Sequence, residues 1–139
     1  MIKFTDKDYN SNNGMMKFVW GPLLWDYLHM ISFNYPINPE NKQKKEYINF
    51  MYTLGNTLPC KTCRENYKKN LKELKFSMKD MQSRETFSKF IWSLHDYVNK
   101  QLNKPKSPSY NYVKYAYEHF RYRDEDEYKC DIRIKKIKK

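Results

Sequence analysis

Glycine is scarce in this sequence, with 3 residues among 139. A Gly-rich phosphate-binding loop needs several glycines close together, so we do not expect this class of site. Long apolar runs are missing too, because no stretch approaches the roughly 20 residues that a membrane-spanning helix requires. The polar, lysine-containing start does not resemble a secretory signal peptide. We therefore expect a cytosolic protein without a membrane span.

Cysteine is also sparse, and 3 cysteines in a chain of this length do not make a disulfide scaffold. The length fits one domain. Aromatic residues reach 17%, including 13 Tyr and 3 Trp, which indicates either a large core or a planar ligand. The formal net charge of +11 permits nucleic acid, acidic proteins or anionic lipid as partners. Because the charge is dispersed, we favour a solvated surface and do not expect a nucleic-acid partner.

Apolar residues recur at helical spacing in several segments, and no β-strand alternation of any length is present. Pro22 suits the first turn of the first helix. The fold predicted is all-α: a four-helix bundle with a short fifth helix. We expect a flexible N-terminal arm at 1–16, a domain at 17–122 and a charged tail at 123–139. The first predicted helix begins near Pro22, and the next three span residues 41–56, 61–75 and 84–102. Ser107 is predicted to cap the fifth helix, with Pro108 as its first residue.

Cys60 and Cys63 stand at the predicted start of the third helix. A thiol in a first helical turn experiences the positive end of the helix dipole, which favours the thiolate. Two thiols at this spacing can close a disulfide within one turn and reopen it, which is typical of a redox-active pair. Two alternatives stay open: half of a zinc site, or two small buried residues.

Polar and aromatic residues form a second stripe beside the apolar stripe on two other helices. Trp25 and His29 are four residues apart on the first helix. On the fourth helix, Trp92, His95 and Asn99 are spaced three and four residues apart. Together with the cysteines, these groups suit a planar cofactor with polar edges better than zinc, which needs no tryptophan. The alternative is that they are core residues.

Three ordered motifs resemble the Erv/ALR family of FAD-linked sulfhydryl oxidases, in particular the short versions encoded by large cytoplasmic DNA viruses. The resemblance covers roughly residues 17–104. The motifs are Trp20-Gly21-Pro-x-x-Trp25-x-x-x-His29, Cys60-x-x-Cys63 and His95-x-x-Val98-Asn99-x-x-Leu102-x-Lys104.

The resemblance implies a helical bundle that binds FAD at its mouth, and usually a homodimer. It implies that Cys63 faces the flavin and that Cys60 exchanges with substrate thiols, with no metal involved. Trp92 is assigned to the adenine site from its position one turn before His95. The cofactor contacts expected are Trp20, Gly21, Trp25, His29, Asn66, Tyr67, Trp92, His95, Val98, Asn99 and Lys104.

The implied activity is disulfide formation in substrate proteins, with electrons passing from thiols through Cys60 and Cys63 to FAD and then to oxygen, giving hydrogen peroxide. The implied partners are a thiol-containing protein and a thioredoxin-like relay protein, in the host cytoplasm or virion if the chain is viral.

Three positions depart from the family pattern. Asp96 stands where the family often has Asn, and Asn66-Tyr67 stand where an aromatic or His pair is common. Only Cys130 remains outside the motif, so the dithiol shuttle pair of cellular members is missing. The alternative function is a basic helical interaction module whose C-x-x-C binds zinc.

Overall fold

The computed structural model describes residues 1–123, and within that range it contains helices and no strand. The all-α prediction is therefore confirmed. The acidic and basic tail segments and Cys130 lie outside the described residues. The helices are α1 (Asp6–Tyr9), α2 (Lys17–Asn34), α3 (Asn41–Thr57), α4 (Lys61–Glu73), a 3-10 helix (Met78–Met81), α5 (Arg84–Gln101) and α6 (Tyr110–Glu118).

Residues 1–107 form one compact unit. Within it α2 packs along α5, α3 packs along α4, and the 3-10 helix contacts both α3 and α5. The buried apolar core between these helices includes Leu28, Tyr35, Met51, Leu58, Tyr67, Leu71, Phe76, Met81, Phe87, Phe90, Ile91 and Leu94. Removal of these side chains from water is the main stabilisation of such a bundle.

Buried polar groups join the helices at specific points. The Tyr35 hydroxyl donates to the Met81 carbonyl at 2.7 Å, and the Arg84 Nε donates to the Tyr35 carbonyl at 2.6 Å. The side-chain amides of Asn70 and Gln101 bond each other reciprocally at 3.1 and 3.2 Å, which links α4 to α5. Satisfied buried polar groups of this kind fix the register between helices.

The second unit comprises residues 108–139, of which the structure describes residues 108–123. Its helix α6 is capped by Ser109, whose Oγ accepts the Tyr112 amide at 3.3 Å. The predicted Ser107-Pro108 cap is therefore wrong by two positions. Ser109 is the residue with extended backbone from which a hydroxyl reaches the first-turn amides.

Two further predictions are corrected. α2 begins at Lys17, so Pro22 lies inside the helix, where its ring nitrogen cannot donate the usual bond to the Phe18 carbonyl. Helix α5 ends at Gln101, and Leu102 is 57% exposed instead of continuing the apolar face. The 3-10 helix was not predicted, because a single short turn carries too little periodicity to be recognised.

Candidate functional site

Cys60 and Cys63 are joined in a disulfide at the N-terminus of α4, with their Cα atoms 5.1 Å apart. Cys60 is the N-cap residue, and its Sγ accepts the Cys63 amide at 3.2 Å. Cys60 is 1% exposed, whereas Cys63 is partly buried. The pair thus sits where amide groups and the helix dipole stabilise negative charge on sulfur after reduction.

The loop that precedes the disulfide is fixed from two sides. The Arg64 guanidinium donates to the Leu58 carbonyl at 2.6 Å, from one turn into the helix. On the other side, the Met15 amide donates to the Pro59 carbonyl at 2.8 Å, and the Lys61 amide donates to the Asn12 carbonyl at 2.9 Å. None of these three contacts was predicted. The sequence shows that Arg64 is cationic but not which carbonyl it reaches, and nothing in the sequence indicates that residues 12–15 reach this loop.

An aromatic and imidazole cluster joins α2 to α5. The Trp25 and His95 rings are stacked, with centroids 4.1 Å apart and planes 5° from parallel. His29 lies beside them, and its Nε2 is 3.0 Å from Nδ1 of His95, so one of the two nitrogens donates to the other. The structure therefore brings together three of the residues that the sequence assigned to cofactor binding.

Both imidazoles are neutral at pH 7. Burial lowers the pKa of His29 to about 3, assisted by the neighbouring His95. Burial also lowers the pKa of His95 to about 4, and the positive charge of Lys104 lowers it further, whereas the Asp96 carboxylate opposes the change. A neutral imidazole presents one donor and one acceptor without a charge, which suits hydrogen bonding to a polar planar ligand.

These lowered pKa values predict acid sensitivity. Between pH 4 and the ordinary histidine pKa of 6.5, the unfolded chain binds protons that folded His29 and His95 exclude. The free energy of unfolding should therefore be full above about pH 7 and fall on acidification, by up to about 1.4 kcal/mol per pH unit for each histidine. Urea unfolding at several pH values measures this slope.

A matched control exists for that prediction. His119→Gln removes an exposed histidine outside the cluster and controls for the loss of a histidine as such. His29→Gln should reduce the slope by the contribution of one histidine, since glutamine does not titrate and His95 keeps its own contribution. An unchanged slope in His29→Gln would contradict the assignment of the acid sensitivity to this cluster.

Other predicted residues lie near the cluster along the same helices. The Asn99 amide donates to Ser107 Oγ at 3.2 Å, and the Lys104 amide donates to the Asn99 carbonyl at 3.0 Å, which folds the segment after α5 back onto its end. The partly buried Asp96 pairs with the exposed Lys100 at 2.6 Å, one turn further along α5. Val98 and Trp92 are partly buried on α5.

Four predicted residues have different surroundings. The Trp20 indole donates to the Met15 carbonyl at 2.9 Å, and an added Cβ at Gly21 would meet no atom within 4 Å. The Tyr67 ring lies in the core, where its hydroxyl donates to the Met51 carbonyl at 2.7 Å. Asn66 is exposed on α4. The structure thus does not bring Tyr67 or Asn66 to the imidazole cluster.

No group of three or more His, Cys, Asp or Glu side chains suited to a metal ion occurs in residues 1–123. Over the same range, no helix is both long enough and apolar enough to span a membrane.

The sequence is similar to FAD-linked sulfhydryl oxidases of viruses and yeast. It is 33% identical over 85 residues to a probable FAD-linked sulfhydryl oxidase of Acanthamoeba polyphaga mimivirus, covering 61% of this chain and 59% of that protein. It is 31% identical over 94 residues to a putative FAD-linked sulfhydryl oxidase of Invertebrate iridescent virus 6, covering 65% and 85%. The match spans only 42% of the mitochondrial FAD-linked sulfhydryl oxidase of Saccharomyces cerevisiae, at 32% identity over 82 residues.

The fold is similar to solved structures as well. The FAD-binding domain of Erv1 from Saccharomyces cerevisiae aligns with a TM-score of 0.69 at 28% identity, covering 76% of this chain and 96% of that one. The yeast Erv1 core aligns with a TM-score of 0.64, also at 28% identity, covering 70% and 80%. The model of the Erv1 / Alr family matches residues 22–121, which include the disulfide and the imidazole cluster. The chain belongs to the Erv1 / Alr family.

Proposed function

We propose that this protein is an FAD-dependent thiol oxidase that forms disulfide bonds in substrate proteins. The observation that carries the proposal is the disulfide at the N-terminus of α4, in the same helical unit as the stacked Trp25 and His95. The disulfide supplies a reversible two-electron carrier, and the stack of Trp25 and His95 supplies a flat, neutral surface for a planar cofactor.

The donor set fits FAD. Trp25 offers an aromatic face, while His29 and His95 offer neutral hydrogen-bonding edges, and Lys104 adds a positive charge for the phosphates. We propose further contacts with FAD for Trp20, Gly21, Trp92, Val98 and Asn99 and, outside the imidazole cluster, for Asn66 and Tyr67. When bound, FAD supplies a two-electron acceptor that oxygen can reoxidise with release of hydrogen peroxide.

The protein residues perform the thiol exchange. A substrate thiolate attacks Sγ of Cys60, a new disulfide forms between them, and Cys63 leaves as a thiolate. The second substrate thiol, once deprotonated, attacks the substrate sulfur of this mixed disulfide and releases Cys60 as a thiolate. The substrate is oxidised by two electrons, and the Cys60–Cys63 pair is reduced by the same two. The helix N-terminus stabilises the thiolates that result.

A visible spectrum tests the proposal. The purified protein should be yellow, with absorbance near 450 nm, and dithiothreitol added without oxygen should bleach it. Admission of oxygen should restore the colour and release hydrogen peroxide. A colourless protein that binds no added FAD would overturn the proposal.

The alternative is the basic interaction module with zinc at the C-x-x-C. Two cysteines held in a disulfide offer no thiolate to zinc, and residues 1–123 contain no cluster of three or more His, Cys, Asp or Glu side chains suited to a metal ion. Zinc content by mass spectrometry, measured on the same sample as the spectrum, separates the two functions.

We propose that the partner is a second copy of the chain. On α2, Val19, Leu23, Tyr27 and Met30 are exposed apolar residues three or four positions apart, so they share one face. A continuous apolar stripe on a surface helix is typical of an interface.

The substrate proposed is a thiol-containing protein, reached directly or through a thioredoxin-like relay, in a host cytoplasm or a virion.

The dimer proposal predicts a specific loss. Leu23 is 65% exposed at the middle of this stripe, so Leu23→Glu should convert a dimer to monomers without loss of fold, because it would place a charge in the apolar interface. Sedimentation velocity measures the change. Ile37→Glu is the control, since Ile37 is 63% exposed but lies beyond the end of α2. A dimer that persists in Leu23→Glu, or a wild-type monomer, would contradict the proposal.

A further inference from the structure

Residues 12–15 of the N-terminal segment bond the backbone on both sides of Cys60. Their two hydrogen bonds reach the residues on either side of that cysteine: the Met15 amide bonds the Pro59 carbonyl, and the Lys61 amide bonds the Asn12 carbonyl. We call residues 12–15 the strap. The strap therefore holds the backbone on both sides of Cys60.

Gly14 lies against the backbone of Pro59 and Cys60. A Cβ placed on it would lie 2.8 Å from the carbonyl carbon of Pro59 and 3.2 Å from Cα of Cys60. Its φ of +54° is in the left-handed region, which glycine adopts without cost and other residues rarely adopt. Only glycine allows the strap to approach the loop this closely.

The strap is also anchored to the helix that carries the cluster. The Trp20 indole on α2 donates to the Met15 carbonyl at 2.9 Å, and a Ser11–Gly14 turn closes the other end with a bond of 3.2 Å. The bonds to Trp20, Pro59 and Lys61 make the strap a defined part of the structure around the disulfide.

Coverage of this sulfur matters for thiol exchange. An attacking thiolate must approach Sγ of Cys60 along the line of the S–S bond, from the side opposite Cys63, and Cys60 is 1% exposed. Cys63, by contrast, is partly exposed. Small local openings of a few hydrogen bonds are common in native proteins, and they determine how fast buried groups react.

We propose that the strap is a cover that must be displaced before Cys60 can exchange with a substrate thiol, and that Gly14 sets how firmly it closes. The inference rests on the proposed function, since it takes Cys60 as the cysteine that meets substrate. The strap contributes no group to the reaction, so Gly14 is a positioning residue.

Alkylation of Cys60 tests the cover without any need for oxidase activity. In the full-length Cys63→Ser protein, the rate at which N-ethylmaleimide labels Cys60 is measured by peptide mass mapping, which separates Cys60 from Cys130. Adding Gly14→Ala should raise this rate about tenfold, because alanine disfavours the left-handed conformation and its Cβ meets Pro59. Asn13→Ala, an exposed neighbour on the same strap, is the matched control and should stay within about twofold of the parent.

A second measurement does not depend on the glycine variant being folded. In the parent protein, labelling of Cys60 should be at least about tenfold slower than in the same protein unfolded in urea, since only the open form reacts. Equal rates in the native and unfolded parent, or a Gly14→Ala rate that matches Asn13→Ala in folded samples, would overturn the cover. A colourless protein with a slow, Gly14-dependent Cys60 would instead contradict the oxidase function and leave the cover intact.

Discussion

Cys63→Ser should abolish reduction of the flavin while FAD stays bound. The proposed route passes electrons through the Cys63 thiolate, and serine offers no sulfur to carry them. The rate of anaerobic bleaching by dithiothreitol should fall by about a thousandfold or more, the scale of effect expected when a nucleophile is removed from a coupled pair. Stopped-flow absorbance near 450 nm measures it, with FAD content quantified on the same sample.

Cys60→Ser is the matched control, because both variants lose the same disulfide and the same stabilisation from it. Any common effect on folding or FAD content therefore belongs to the lost cross-link. The two variants should react differently with a disulfide reagent. In Cys63→Ser, Cys60 should form a mixed disulfide with the reagent, and substrate thiols should be able to resolve it. Bleaching of Cys63→Ser at the wild-type rate would show that the two cysteines have been assigned the wrong roles.

The helices were predictable because their apolar faces are long and regular. Phe87, Ile91 and Leu94 repeat at helical spacing, and all three are buried in the core. The ends of the helices were harder to predict. Ser107 and Ser109 both precede residues that can start a helix, and only backbone geometry decides which hydroxyl caps it.

The same contrast applies to the candidate site. Trp25, His29 and His95 were placed together by their motif spacing, and the structure brings them into contact across α2 and α5. Tyr67 is expected at the cofactor because Asn66-Tyr67 stand where the family often has an aromatic or His pair, but its helical phase directs it to Met51 on α3. The contacts of residues 12–15 with the cysteine loop depend on tertiary structure and a left-handed glycine, and so carry no local pattern.

His95→Ala should release FAD and lower the stability of the protein even without the cofactor. The variant removes a ring that stacks on Trp25 and bonds His29, so the apoprotein should lose about 1–3 kcal/mol of unfolding free energy. The holoprotein should lose more. A ligand that binds only the folded state adds about 2.7 kcal/mol at a concentration one hundred times its Kd, and this contribution disappears with binding.

The separation of these two losses is what distinguishes a cofactor site from a plain core. Thermal unfolding of each variant with and without added FAD gives both quantities, and FAD content is read from absorbance. His119→Ala controls for loss of a histidine as such, since His119 is exposed on the segment that follows α6. Were His95→Ala to melt lower yet keep its full FAD content and the full stabilisation by FAD, the stack of Trp25 and His95 would be a core contact, and the cofactor would have to be bound by other residues. If both losses occur, and Trp25→Ala reproduces them, the neutral cluster between α2 and α5 holds the cofactor because each of its rings contributes to the fold and to the ligand at once.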